Sequence, residues 1–184
     1  MKHLQPEILQ AGDVVVTTDM KPFSLVTRSR TWPKRSWFDM GLSTHSFMVA
    51  DRGDRIYYAC EMQPRGLEMN ELEKYDHGRL SWLPHIVKVY RHKAFETPGM
   101  VDKANDYMVK MHSFKVRYGY DELLKYAGLG KKDDPYSMIC SQWCRNVFAH
   151  CGIEMPFGTG ICTPADWQRW GMCGDVMTEI NPFK

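Results

Sequence analysis

The stretch Cys140-Ser141-Gln142-Trp143-Cys144-Arg145-Asn146-Val147-Phe148-Ala149-His150-Cys151-Gly152 decides how the rest of the chain is read. Cys144, Val147, Phe148 and Cys151 recur at i, i+3, i+4 and i+7, the spacing that puts side chains on one helical face. Gly152 supplies a C-terminal stop, so the pattern predicts a helix over Ser141 to His150 with a buried stripe. Cys140 stands at the N-terminal end, four residues before Cys144 and on the same face. A thiol there meets unpaired backbone N–H groups and the positive end of the helix dipole, which favour thiolate over thiol. The competing reading makes Cys140 a small buried hydrophobe like Cys144 and Cys151.

Working outward from that helix, the preceding sequence is richer in strand signals. Gly12-Asp13 punctuates the start of the β-branched run Val14-Val15-Val16-Thr17-Thr18, of the kind that fills a buried strand. Thr44 to Ala50 forms a second strand. Asp51-Arg52-Gly53-Asp54 then signals a turn into Arg55 to Met62, giving a hairpin. Ile86 to Tyr90 is a further β-leaning segment. Val101, Ala104, Met108 and Met111 share a face of a helix expected over Val101 to His112. Asp121 to Tyr126 continues in helix-forming residues until Gly128 and Gly130. Thr163-Pro164-Ala165-Asp166 has a cap residue, proline at the first helical position and an acid in the first turn, and opens a short helix through Trp170.

The 184 residues carry 24 Lys and Arg against 22 Asp and Glu, a net charge of +2, with 43% hydrophobic and 25% charged residues. That balance excludes a disordered chain, a collagen-like repeat and a polybasic nucleic-acid tail. No repeat or linker composition divides the chain, so one domain over residues 1–184 is expected. Its six cysteines show no paired Cys-x-x-Cys spacing and read as reduced thiols. Met1 to Glu7 lacks the apolar run of a signal peptide, and no segment is long enough to span a bilayer, so a cytoplasmic protein is expected.

A thiol nucleophile needs an imidazole to take its proton and a third polar group to orient the ring. Seven histidines compete. His3 stands near the chain end, and His77, His85, His92 and His112 sit in polar or poorly periodic contexts that suggest solvated surface. His45 opens an otherwise buried strand, where a titratable ring needs a partner. Glu61 alternates in phase with Tyr57 and Ala59 and can share a sheet face with it. A purely structural His–Glu pair is the alternative. Cys140-x3-Cys144 with His150-Cys151 could suggest zinc, but no second pair stands at knuckle spacing and His150 belongs to the other end of the helix, so no metal or cofactor is expected.

Several of these stretches together resemble a known family. Gly12-Asp13 before a strand, Thr44-His45-Ser46-Phe47-Met48-Val49, and Tyr58 to Glu61 followed by Pro64-Arg65-Gly66-Leu67 resemble the N-terminal half of the circularly permuted NlpC-type papain-like hydrolases. This is the YiiX/YaeF-like group related to lecithin retinol acyltransferase. Arg117-Tyr118-Gly119-Tyr120-Asp121 is similar to the family's Tyr-Asp element, and Tyr136-Ser137-Met138-Ile139-Cys140-Ser141-Gln142-Trp143 to its nucleophile motif, with Gln142 where an acid is usual. Gly152 to Pro156 and Thr163 to Asp166 follow at the family's distances. The resemblance implies an α+β fold with an antiparallel sheet packed against the nucleophile helix, Cys140 as nucleophile, His45 as general base and Glu61 as orienting residue. Cys60 competes with Glu61 for the third place, although a carboxylate accepts the imidazole N–H better than a thiol can.

The implied reaction is hydrolysis of an amide or ester bond in a peptide, cell-wall or lipid-linked substrate, with transfer to another acceptor also open. The Cys140 backbone N–H contributes to the oxyanion hole and Tyr120 is a candidate second donor. A different class of reading rests on the segment Arg28 to Trp37, which holds four cations, two tryptophans and no acid. Arg28, Arg30, Trp32, Arg35 and Trp37 could serve a non-catalytic module for an anionic surface, by charge neutralisation with stacking or interfacial burial. Peripheral membrane contact fits such a segment better than nucleic acid does, given the +2 net charge. In an enzyme the same residues would select an anionic substrate. A solvated loop with its tryptophans in the core is the third possibility. No feature of the sequence sets the oligomeric state.

Overall fold

Strand pairing in the computed structural model places the five N-terminal strands and one C-terminal strand in a single antiparallel sheet. The structure describes residues 3–18, 44–53, 56–76, 85–119, 137–157 and 162–183. The strands are β1 (Val14–Thr18), β2 (His45–Asp51), β3 (Tyr57–Gln63), β4 (Gly66–Glu71), β5 (His85–His92) and β8 (Met177–Ile180), in the order β4-β3-β2-β1-β5-β8. Two short strands, β6 (Arg117–Tyr118) and β7 (Ser137–Met138), form a separate parallel pair. Three α-helices, α1 (Met100–Ser113), α2 (Cys140–Cys151) and α3 (Pro164–Cys173), and short 3₁₀ turns at Pro6–Ile8, Leu72–Tyr75 and Lys93–Glu96 complete the described elements. The architecture is therefore mixed α+β, as expected.

The sheet is covered on both faces, which is why β1 can be apolar at consecutive positions. Val14, Val16, Met48, Ala50, Cys60, Met62 and Tyr90 join the larger core beneath the helices. Val15, Phe47, Val49, Ala59, Ile86 and Val89 form a smaller core on the other face, with Leu9, Leu72 and Tyr75. Ile86 and Val89 share that face despite being three residues apart. The β1–β5 register slips by one residue between Val16 and Thr17, and the bulge resets the alternation.

Helix α2 begins one residue earlier than the apolar spacing predicts and ends where Gly152 takes a left-handed conformation at φ +79°. Cys144, Val147, Phe148 and Cys151 are all buried against the sheet. The Trp143 Nε1–H donates to the Cys60 carbonyl at 3.0 Å, pinning α2 to β3. Helix α3 opens at the predicted cap residue, and the acid of the first turn makes the cap reciprocal, with Asp166 N–H to Thr163 Oγ1 at 3.2 Å and Thr163 N–H to Asp166 Oδ2 at 2.8 Å. It runs on to Cys173, three residues beyond the predicted end. Gly171 permits this approach to the sheet, since a Cβ there would lie 2.3 Å from the Tyr90 ring.

The expected strand and helix positions hold elsewhere with small changes. The second strand of the hairpin starts at Tyr57, two residues later than the turn signal suggests. Helix α1 buries Ala104 and Met108, with Val101 and Met111 packed at the margin. His92 corrects the surface reading given to it. Its Nδ1 accepts the Ala94 N–H at 3.1 Å, and its ring packs on Phe148 and Trp170. The burial that results lowers its pKa. The helix-forming stretch Asp121 to Tyr126, the side chain of His85, and His77 lie outside the described residues.

Candidate active site

The β2–β3 hairpin pairs only from Asp51↔Tyr57 to Met48↔Cys60, so His45 and Ser46 stand beyond its last pair. The first turn of α2 reaches the sheet at this open end. Gln142 Oε1 accepts the Ile139 N–H at 3.0 Å, so the amide found where the resembled motif has an acid closes the helix cap. Two further bonds hold the turn from the side of α3: the Ser141 hydroxyl donates to the Cys162 carbonyl, and Trp167 Nε1–H donates to the Ser141 carbonyl at 3.2 Å. Cys140 is thereby fixed at the head of a helix whose position both neighbours determine.

His45 bridges Cys140 and Glu61. Its Nε2–H donates to Glu61 Oε2 at 2.8 Å, which leaves Nδ1 as the ring nitrogen for the interaction with Cys140. The ring keeps 20% of its side-chain surface exposed, whereas the Glu61 side chain has none. The alternation argument therefore places Glu61 correctly. Cys60, the competing third member, faces the helix-side core, away from the ring. Burial and the Glu61 charge push its thiol up, so it remains neutral.

Glu61 carries four further donors that sequence reasoning missed. Gln63 Nε2 and the Tyr75 hydroxyl each donate to Oε2 at 2.5 Å, Asn70 Nδ2 donates to Oε1 at 3.0 Å, and Lys74 Nζ pairs with Oε1. Burial alone would raise this carboxyl. The His45 hydrogen bond and charge, with the Lys74 cation, outweigh it and hold the pKa at about 2. Gln63 was discoverable, being two residues from Glu61 in the same strand. Lys74 and Tyr75 occupy a 3₁₀ turn, Leu72–Tyr75, which leaves no periodic trace.

The charge state follows from these contacts. Burial pushes the Cys140 thiol up, but the His45 charge and hydrogen bond, with backbone N–H groups of Ser46 and Ser141, lower it overall. Burial lowers the His45 ring, while Cys140 and then Glu61 raise it overall. Both directions favour a thiolate beside an imidazolium. Cys144, one turn further on, is pushed well up by burial.

Tyr120, Arg28, Arg30, Trp32, Arg35 and Trp37 lie outside the described residues. Among the described residues no group of three or more His, Cys, Asp or Glu is arranged to hold a metal ion. None of the described helices is long and apolar enough to cross a membrane. No protein-family model and no curated protein sequence matches this chain.

Proposed function

We propose that this protein is a cysteine hydrolase of amide or ester bonds with a circularly permuted papain-like fold, in which Cys140, His45 and Glu61 form the catalytic triad. The observation that carries the reading is the His45 ring, hydrogen-bonded to Glu61 and interacting with Cys140, beside a thiol whose pKa is lowered although it is buried. A structural histidine–carboxylate pair would account for the bond to Glu61 and leave the lowered Cys140 thiol unexplained.

In the mechanism, Cys140 Sγ attacks the substrate carbonyl carbon and the Cys140 backbone N–H, at the head of α2, donates to the developing oxyanion. His45 Nδ1–H gives its proton to the departing amine or alkoxide as the carbonyl bond to it breaks. A thioester remains. The neutral ring next takes a proton from water, whose oxygen attacks the thioester carbonyl. The C–S bond breaks, the acid product leaves and the thiolate–imidazolium pair is restored. Glu61 keeps Nε2 protonated, directs Nδ1 to the sulfur and stabilises the cation without taking its proton. Peptide, cell-wall or lipid-linked substrates suit the reading, and an acceptor other than water could take the acyl group at the same thioester.

Alkylation by iodoacetamide at pH 6, with the modified cysteines located by peptide mass, tests this. Cys140 is expected to react first, and Cys140→Ala to abolish hydrolysis across a panel of p-nitrophenyl esters and peptide amides. Cys144 reacting as fast as Cys140, or hydrolysis surviving in Cys140→Ala, would overturn it.

A further inference from the structure

Glu61 has more partners than an orienting carboxylate needs. One oxygen, Oε2, serves the ring, while Oε1 faces away from it and takes Asn70 and Lys74. Lys74 and the His45 ring are the cations in contact with this carboxylate among the described residues. We propose that Lys74 is a positioning residue that balances the Glu61 charge, so that the His45 ring can become neutral in the acyl-enzyme and accept a proton from water. The proposal rests on the hydrolase reading.

The reasoning is electrostatic. Attack by Cys140 needs an imidazolium, and hydrolysis of the thioester needs a neutral imidazole, so the ring must be held near both states. A fully buried carboxylate directly behind it stabilises only the cation. The other groups around Glu61 do not correct this. Gln63 and Asn70 are neutral, Tyr75 donates as a neutral phenol, and Cys60 stays a thiol. Glu68, directly opposite Glu61 in the β3–β4 register, adds a second negative charge and is linked to the same Asn70 amide at 3.2 Å. From α2, the Cys140 thiolate favours the imidazolium too, until acylation removes its charge. Lys74 is then the group that offsets Glu61. Its bond to Oε1 fixes the carboxylate from the side opposite the ring, so it acts on His45 without touching substrate.

The test is a titration of the His45 ring by NMR in the Cys140→Ala background, which lacks the thiolate just as the acyl-enzyme does. Lys74→Met should raise the midpoint by about one pH unit, the size expected of a partly screened charge one carboxylate away. Lys74→Arg should return it to the parental value. Lys74 is 37% exposed and Met keeps its length, and Lys74→Gln provides a second neutral variant. A role confined to stability would lower the denaturation midpoint and leave the titration unmoved. Iodoacetamide selectivity in the protein with Cys140 intact is measured alongside. Selective Cys140 alkylation with a titration midpoint that Lys74→Met and Lys74→Gln leave unchanged would overturn the role of Lys74 alone. Equal alkylation of Cys140 and Cys144 would overturn the hydrolase reading and this proposal with it.

Discussion

Acid should loosen this fold through Glu61 in a way that Glu61→Gln removes. The folded carboxyl titrates at about 2 because burial, which raises it, is outweighed by His45 and Lys74. Against an ordinary value near 4.5, at about 1.4 kcal/mol per pH unit, full ionisation contributes roughly 3 kcal/mol to stability. The sign follows from the direction of the shift. A depressed carboxyl stabilises above its unfolded pKa and the contribution disappears as pH falls through the folded one, so about 2 kcal/mol should be lost between pH 5 and pH 3. Asp13 works oppositely. Its carboxyl is raised by burial despite Arg91, so protonation favours folding there, and the parent's acid sensitivity alone is ambiguous. The informative quantity is therefore the stability difference between parent and Glu61→Gln, from urea unfolding at both pH values, with sucrose added to keep the variant folded. His45 is protonated in the unfolded chain at both pH values, and NMR of the ring in the folded variant at pH 5 and pH 3 checks that it stays charged there too, so that its own titration is kept out of the comparison. At pH 5 the variant should be weaker, because a carboxamide NH2 faces donors where an oxygen accepted them. The gap should narrow by about 2 kcal/mol at pH 3. A gap that stays constant within 0.5 kcal/mol would refute the reasoning.

Cys140→Ala should abolish turnover with little loss of stability, whereas Cys144→Ser should keep turnover and lose about 1–3 kcal/mol by placing a hydroxyl in the core, both measured on purified variants by ester hydrolysis and urea unfolding. Gly171→Ala should cost about 2–3 kcal/mol, because its Cβ would fall 2.3–2.4 Å from three atoms of the buried Tyr90 ring. Unfolding midpoints read this directly, and a neutral result would mean that α3 can shift. Asp13→Ala should cost about 2–4 kcal/mol by leaving the Arg91 guanidinium without its two-pronged partner, now held at 2.7 and 2.8 Å. The same measurement checks it.

What the sequence reveals depends on whether an element carries a periodic burial signal. Helix α2 does, through four apolar positions on one face and a terminal glycine. His45 and Glu61 do as well, because strict alternation puts residues in phase on one side of a sheet. The edge strands do not. β8, Met177–Ile180, buries only its first residue and is defined by backbone pairing with β5. β4 buries Gly66 and Leu67 and then runs Glu68 to Glu71 at half-exposed or exposed positions. Its turn depends on Gly66 at φ +121°, where a Cβ would meet the Val116 carbonyl at 2.5 Å. That contact joins residues fifty apart, and no local pattern contains it. Lys74 and Tyr75 escape notice for the same reason: a single 3₁₀ turn brings them to Glu61, and their residue types match a solvated surface equally well.

Cys140 and Cys144 show what selects one thiol from a stripe of several. Both are buried and both lie on the same face of α2, so apolar spacing treats them alike and desolvation pushes both thiols up. The difference comes from β2. Its pairing with β3 ends at Met48↔Cys60, and the residues before that point supply the Cys140 sulfur with the Ser46 N–H and the His45 ring, while the helix adds the Ser141 N–H. Cys144 sits one turn deeper, about 6 Å along the helix axis, where burial prevails. At the end that β3 leaves unpaired, the same strand thus offers Cys140 a backbone donor and a cation, and it offers Cys144 neither. Helix position alone would have given Cys140 a modest advantage through the dipole, worth about 0.3–1 kcal/mol at an exposed terminus. Overcoming complete burial requires the imidazolium, and the imidazolium persists there because the Cys140 thiolate in front of it and then Glu61, held as an anion on the adjacent strand, both raise its pKa. The thiol with the lowered pKa is specified by three elements that are separate in sequence and meet only where the hairpin stops pairing.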